Sequence, residues 1–246
     1  MSIDKPKPFA APDLAVLVRK HQGRSTREGL KVVAAWGIAC VSAGVLAGVA
    51  FSSNGWAIGM VAGCCLVIGA SFVLYFFRDA QPHPPAERGA VLSPAHGTVD
   101  YIDTTSETHF LMSPARRISI YLSLLNVHVQ HAPLSGRVEV LQHFPGRWSR
   151  ASRRDSSLCN EHLLVGLTSE HGRPVAVRMI SGIWVRRIVS WITCGQTVTQ
   201  GERIGLIRFG SRVDVFLPLD AQINVMPGDR VRGGETILAR LQQVRN

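Results

Sequence analysis

Gly210-Ser211 is the only Gly-Ser dipeptide in the chain. It falls at a break between two strand-like runs in Ile207-Arg208-Phe209-Gly210-Ser211-Arg212-Val213-Asp214-Val215. A serine hydroxyl can attack the carbonyl before it and turn that peptide bond into an ester, provided the backbone is strained there and a base takes the proton. Glycine at the preceding position has no Cβ to obstruct the attack. Elimination from the ester leaves dehydroalanine, which hydrolyses to a pyruvoyl group capping the new chain. An isolated Gly-Ser is usually a plain turn, so the reading needs a base as well. Taken alone, a histidine such as His128, in Asn126-Val127-His128-Val129 ahead of Pro133, is more often a packed or surface residue than a base.

The other chemistry-bearing residues mostly exclude. All four lysines (Lys5, Lys7, Lys20 and Lys31) precede residue 32, and beyond it the basic side chains are arginine and histidine. No lysine there can carry biotin, lipoate or pyridoxal phosphate. His128 and His131 are three apart, which on a strand puts them on opposite faces. His96, His109, His143 and His162 follow no ligand spacing, so no metal is expected. Cys40, Cys64 and Cys65 lie inside apolar stretches, leaving only Cys159 and Cys194 elsewhere. Neither a disulfide framework nor a zinc spacing emerges, which fits a reducing compartment.

Those residues must be positioned by a chain of 246 residues with formal charge +10, a balance that suits nucleic acid or an anionic membrane surface. The apolar pattern favours the membrane. Residues 1–31 are polar and basic. Residues 32–51 form an uncharged apolar run of 20 residues, about the length that crosses a hydrocarbon core. Ser52, Ser53, Asn54 and Gly55 make a polar break, and a second uncharged run covers 56–77. Basic residues flank both outer ends and none occupies the break. The positive-inside rule therefore puts both ends in the cytoplasm and a two-helix transmembrane hairpin over 32–77.

A proline-containing linker, 81–85, follows. From Gly89 the pattern changes to short β-type runs at 118–125, 127–129, 175–180, 184–191 and 213–217. Residues 78–246 read as a mainly β domain, and it repeats itself. Pro94-Ala95-His96-Gly97-Thr98-Val99 and Pro133-Leu134-Ser135-Gly136-Arg137-Val138 share P-x-x-G-x-V. The stretches beginning at Gly195 and Gly228 both read G-[QD]-x-V-x-x-G-E-x-I. The second pair resembles turns of the barrel-sandwich domains that carry biotin or lipoate, but no lysine is present to be modified.

Phe77-Arg78-Asp79, Ser93-Pro94-Ala95, Asn126-Val127-His128-Val129, Asn160-Glu161 and the Arg208 to Val215 stretch together resemble the short, pyruvoyl-dependent phosphatidylserine decarboxylases of bacteria and archaea. The likeness runs from residue 76 to about residue 239. It implies that Ser211 becomes the pyruvoyl group, with a β chain of 1–210 and an α chain of 211–246 made from one precursor. It implies that His128 serves Ser211 as base and later assists proton transfer at the substrate. It further implies decarboxylation of phosphatidylserine to phosphatidylethanolamine through a Schiff base, by a carbon–carbon lyase on the cytoplasmic side of the inner membrane. The partners implied are phosphatidylserine, anionic membrane lipids and the two chains of the precursor, with no nucleic acid; self-association is left open. Residues 144–154, with four arginines and two aromatics, read as a loop attracted to lipid headgroups.

The chain departs from the family pattern beside the site. His96 stands where the family has an aspartate that orients the base, Gln130-His131 replaces Asn-Arg, and His162 replaces Arg. A neutral imidazole at 96 can accept a hydrogen bond from His128 but brings no negative charge, which predicts slower self-cleavage. Asp100 or Asp103 could supply the carboxylate, Asp100 lying an even spacing from His96. The competing reading is a poorly processed homologue that keeps the anchor and β domain as a lipid-binding or interaction protein.

Overall fold

The computed structural model describes Ser42 and residues 55–76, 78, 81–123, 125–146, 149, 159–182, 188–207 and 211–242. Among the described residues, the helix α1 (Gly55–Phe76) precedes the strands β1 (Ala90–Leu92), β2 (Gly97–Glu107), β3 (Ser113–Leu122), β4 (Val129–His131), β5 (Gly136–Phe144), β6 (His162–Ser169), β7 (Pro174–Ile180), β8 (Ile188–Ser190), β9 (Thr197–Val198), β10 (Arg203–Ile207), β11 (Ser211–Pro218), β12 (Gln222–Ile223), β13 (Arg230–Val231) and β14 (Ile237–Arg240). The domain after residue 78 is mainly β, as its Gly- and Pro-punctuated runs predict.

The strands form one large sheet, ordered β13-β2-β3-β11-β7-β6-β5-β9, and two small ones, β1-β14-β12 and β4-β10-β8. Strand alternation sorts the large sheet into two faces. Ile118, Ile120 and Leu122 of β3, Val213, Val215 and Leu217 of β11, and Val175, Val177 and Met179 of β7 point inward. They share one core with Val91, Ile204, Ile207, Leu238 and Ala239 of the small sheets. The intervening residues of the same strands face the other way, where Ala115, Ala176 and Phe216 join Leu164 in a second, smaller cluster.

The sequence repeats become two matching halves. Gly97 pairs with Val231 and Gly136 with Val198. Val99 and Asp229 on one side, and Val138 and Gln196 on the other, make the same backbone contact, at 2.9 and 2.8 Å. Gly195, Gly201, Gly228 and Gly234 all have positive φ, the conformation that glycine adopts without a Cβ penalty. The large sheet consequently reads alike from either end, β13-β2-β3-β11 mirrored by β9-β5-β6-β7, while β1-β14 and β4-β10 correspond in the small sheets. One half is continuous, β4 to β10. The other is split, β1 to β3 and β11 to β14, with the continuous half inserted between β3 and β11.

Ahead of the domain, α1 contains no charged residue and exposes Met60, Val61, Val67, Ile68 and Tyr75. The basic segment 1–31 and, apart from Ser42, the first apolar run 32–51 lie outside the described residues. Several α1 side chains do too, and on the described residues alone no helix is long and apolar enough to cross a membrane.

Equivalent glycines hold equivalent strands together. A Cβ on Gly97 would lie 2.3 Å from the Tyr121 carbonyl oxygen, and one on Gly136 would lie 2.2 Å from that of Thr168. Backbone cannot retreat as a flexible side chain can. Gly97→Ala and Gly136→Ala are each expected to destabilise the domain by about 1–3 kcal/mol, read as a lowered denaturant midpoint in equilibrium unfolding.

Candidate active site

Ser211 opens β11, directly opposite Leu122 of β3. Its parity with Val213 and Val215 turns its side chain to the inner face, toward the small sheets. The residue is fully buried, and its Oγ has no hydrogen-bond partner among the described residues. A buried hydroxyl without a partner costs about 1–3 kcal/mol, a cost that is understandable where the oxygen is reserved for reaction. Gly210, with Arg208 and Phe209, lies outside the described residues, so the structure gives the carboxyl side of the 210–211 bond.

Both neighbours of Ser211 lead to His128. Beyond Leu122 the chain turns: Asn126 Oδ1 accepts from Ser123 N at 2.8 Å and Ser123 Oγ at 2.7 Å, and Asn126 N donates to Ser123 O at 3.0 Å. Ile207, the last residue of β10 and four positions before Ser211, donates its N–H to His128 O at 3.2 Å. The ring itself is fully buried, and its Nδ1 lies 2.8 Å from Asn126 O. A carbonyl only accepts, so Nδ1 carries the proton and Nε2 the lone pair. Burial pushes the imidazole pKa down to about 4; the Asn126 carbonyl opposes that shift, and Arg78 adds to it. At neutral pH His128 is therefore an uncharged base of fixed tautomer.

His96 lies against a second histidine. Its ring stands edge-on to His131, centroids 6.0 Å apart at 74°. A Cβ on Gly233 would lie 2.9 Å from His131 Nδ1 and 3.1 Å from His96 Cδ2. His131 is fully buried and held down to about pKa 3 by desolvation, with smaller contributions from His96 and Arg203. Burial lowers His96 too, against the pull of Glu235.

Asp100 and Asp103 are engaged on the outer face. The β2–β3 register shifts between Val99 and Tyr101, and this bulge breaks the even spacing from His96. Asp100 Oδ2 instead accepts from Arg212 Nη2 at 2.6 Å, and Asp103 takes both ends of Arg117, at 2.8 and 2.5 Å. Arg212, fully buried and next in sequence to Ser211, also donates to Ser119 Oγ at 2.6 Å, which in turn donates to Asp214 Oδ1 at 2.6 Å. The residue beside the candidate nucleophile is thus fixed by charge-assisted bonds behind the sheet.

Residues 70–239 match the phosphatidylserine decarboxylase family. The chain belongs to that family. A phosphatidylserine decarboxylase proenzyme of Pelobacter propionicus is 45% identical over 170 residues, covering 69% of this chain and 77% of the relative. One of Symbiobacterium thermophilum is 40% identical over 189 residues, covering 76% and 86%. One of Geotalea daltonii is 36% identical over 206 residues, covering 84% and 95%. The matched region spans both Ser211 and His128.

Within this decarboxylase-family domain, the sequence did not disclose the Asn126 carbonyl, the Arg212 network or the bonds that Asn160 makes. A backbone acceptor leaves no mark on residue type. The outward parity of Arg212 and Asp214 on a strand whose other face is apolar was the readable signal for the network. Asn160 ties Ser149 to Ser181: its Nδ2 donates to both carbonyls, at 2.9 and 2.8 Å, and its Oδ1 accepts from Ser149 N and Oγ. Most of the arginine-rich stretch beyond Gly146 lies outside the described residues. Phe144 at its start stacks on His162 at 4.7 Å and meets His109 at 4.6 Å.

Two outcomes are expected. Unfolded histidines titrate near 6.5, whereas His128 and His131 do so near 4 and 3 when folded. The unfolded chain then binds more protons as pH falls below 6.5, so stability is lost progressively from there toward pH 3. Unfolding midpoints across that window measure it. Arg212→Met strands the buried Asp214–Ser119 pair beside a lost cation and should cost about 3 kcal/mol, read in the same unfolding assay.

Proposed function

We propose that the chain is a self-processing proenzyme that decarboxylates phosphatidylserine to phosphatidylethanolamine and carbon dioxide. The observation that carries this reading is the buried Ser211 Oγ at the start of β11, which has no hydrogen-bond partner among the described residues, together with the neutral His128, whose carbonyl accepts from Ile207 four positions before Ser211. In the first step His128 Nε2 takes the Ser211 hydroxyl proton while Oγ attacks the Gly210 carbonyl carbon. The C–N bond breaks, leaving an ester and a free amine on residue 211. Removal of the proton on the Ser211 Cα then expels the Gly210 carboxylate, and addition of water with loss of ammonia yields the pyruvoyl group. The β chain ends at residue 210 and the α chain begins at 211.

The residues present fit that group: Ser211 would supply its three carbons, and the Ser211 Oγ is buried with no hydrogen-bond partner among the described residues to hold it back. When formed, the group supplies a carbonyl that captures the substrate amine and an adjacent carbonyl that takes up electrons as carbon dioxide leaves. The chain's own contribution is position. Strand pairing to Leu122 and the Arg212 bonds hold residue 211, the packed core excludes water, and His128 offers a proton acceptor of set orientation. Bonds from Arg212 also keep Asp100 on the outer face, so His128 works with a carbonyl in place of a carboxylate.

Membrane attachment is part of the same proposal. At about 1.5 Å per residue, the 22 residues of α1 reach about 33 Å, and none is charged. With residues 32–51 as a second span, the domain would face anionic lipid on the cytoplasmic side of the inner membrane and meet its substrate in the bilayer plane. The paired glycine turns and mirrored sheet ends support the barrel-sandwich reading of the fold, without a carrier's lysine.

Self-processing is tested on the purified protein by mass spectrometry. The wild type should yield an α chain of 36 of the 246 residues in a 26.8 kDa chain, hence about 4 kDa, bearing a pyruvoyl terminus. Ser211→Ala should remain one inactive chain, and His128→Asn should slow cleavage by about 10²- to 10⁴-fold. An intact wild-type chain retaining the Ser211 hydroxyl defeats the proposal.

A further inference from the structure

The far end of α1 is tied to the same turn that orients the His128 ring. Arg78 donates through Nη1 to Tyr75 O and through Nη2 to Leu125 O, both at 2.8 Å. Its guanidinium lies over the Tyr75 ring, 3.8 Å from the centroid, and its backbone N–H also reaches Tyr75 O at 3.4 Å. A guanidinium is a rigid planar fork. With one prong on the last turn of the helix and the other on the 123–126 turn, it fixes the distance between them.

Leu125 precedes Asn126, whose carbonyl receives His128 Nδ1 and whose side chain closes the turn on Ser123. The side chain of Leu125 is 61% exposed, so burial of that side chain does not anchor the turn. A continuous path therefore runs from Tyr75 through Arg78, Leu125 and Asn126 to the imidazole.

We infer that Arg78 is a positioning residue that latches the end of α1 to the 123–126 turn, so that the docked helix fixes the orientation of the His128 ring. The inference rests on the reading of His128 as the base for Ser211. It makes the helix more than a tether: the base is aligned only when the helix is seated against the domain. The Arg78 charge also disfavours a protonated His128, in keeping with their proximity. Lysine cannot replace the latch, because an ammonium on a flexible stem neither forks between two carbonyls nor stacks as a plane.

The test is the half-time of self-cleavage of full-length precursor synthesised cell-free into phosphatidylcholine–phosphatidylglycerol vesicles, followed by mass spectrometry. Arg78→Gln should lengthen the half-time by about tenfold or more. Arg78→Lys should recover no more than about threefold of that loss. In a Ser211→Ala background, which keeps the chain intact, ¹⁵N shifts of His128 should move from the Nδ1–H tautomer to a mixture when Arg78 is replaced by Gln. A residue needed only for folding would not change the tautomer of a folded protein.

A wild-type half-time for Arg78→Gln, full recovery with Arg78→Lys, or an unchanged tautomer overturns the latch. If Arg78→Gln does not fold by thermal melting, Tyr75→Leu decides: a slowing of about threefold or more is expected from loss of the stacking ring, and a wild-type rate overturns the inference. His128→Asn separates the two levels. Unimpaired cleavage in that variant removes the base itself, whereas blocked cleavage there with normal cleavage in Arg78→Gln removes the latch alone.

Discussion

The pairing of β11 between β3 and β7 is the constraint on which the site depends. It is a central strand of the large sheet, its register runs unbroken from Ser211 opposite Leu122 to Pro218 opposite Ala115, and it also pairs with β7 from Arg212 to Phe216. A one-residue slip would turn Ser211 outward and bury Arg212 in the apolar core. Both errors are expensive, since Asp100 and Ser119, to which Arg212 donates, lie on the outer face. The network of Arg212, Ser119, Asp100 and Asp214 thus acts as a register lock for the residue next to it.

The insertion of one half of the domain into the other explains why chemistry sits where it does. In the continuous half, β6 and β7 pair and are joined by a short turn at residues 170–173. The equivalent strands of the split half, β3 and β11, pair in the same way, but their turn has been opened to admit β4 to β10. The chain therefore leaves the large sheet after Leu122, through the segment that carries Asn126 and His128, and re-enters it at Ser211, opposite Leu122. A hairpin tip with no chemistry in one half corresponds to the candidate active site in the other.

The legible part of this was the part written in side-chain type. Period-two runs gave β3, β7 and β11 to within a few residues. The P-x-x-G-x-V and G-x-x-V-x-x-G-E repeats marked the two ends of the large sheet before any pairing was visible. Ser211 was singled out by the glycine before it and His128 by the family resemblance, and both prove to be fully buried. The position of Asp100 was not readable: counting in twos from His96 fails because the strand starts at Gly97 and bulges before Tyr101, and a bulge depends on how two strands twist together rather than on either alone. The orientation of His128 was also hidden, because its partner is a backbone carbonyl that every residue possesses. His96 illustrates the converse: its departure from the family pattern was plain, but its place beside His131 and Gly233 is set by contacts between distant turns.

A break after residue 210 would leave a short α chain whose hold on the rest can be followed strand by strand. β11 pairs with β3 and β7, β13 with β2, and β14 with β1, all of them on the β-chain side, while among the described strands only the β12–β14 pair lies within the fragment. The fragment also brings Val213, Val215, Leu217, Leu238 and Ala239 to the main core. Releasing such a piece would expose those side chains to water, at about 25 cal/mol per Å² of apolar surface. The chemistry proposed at residue 211 therefore needs no second connection between the chains. The sheet that positions the serine before the bond breaks is the same sheet that holds its successor afterward, and a site built at a strand end, rather than on a free loop, can survive its own cleavage for that reason.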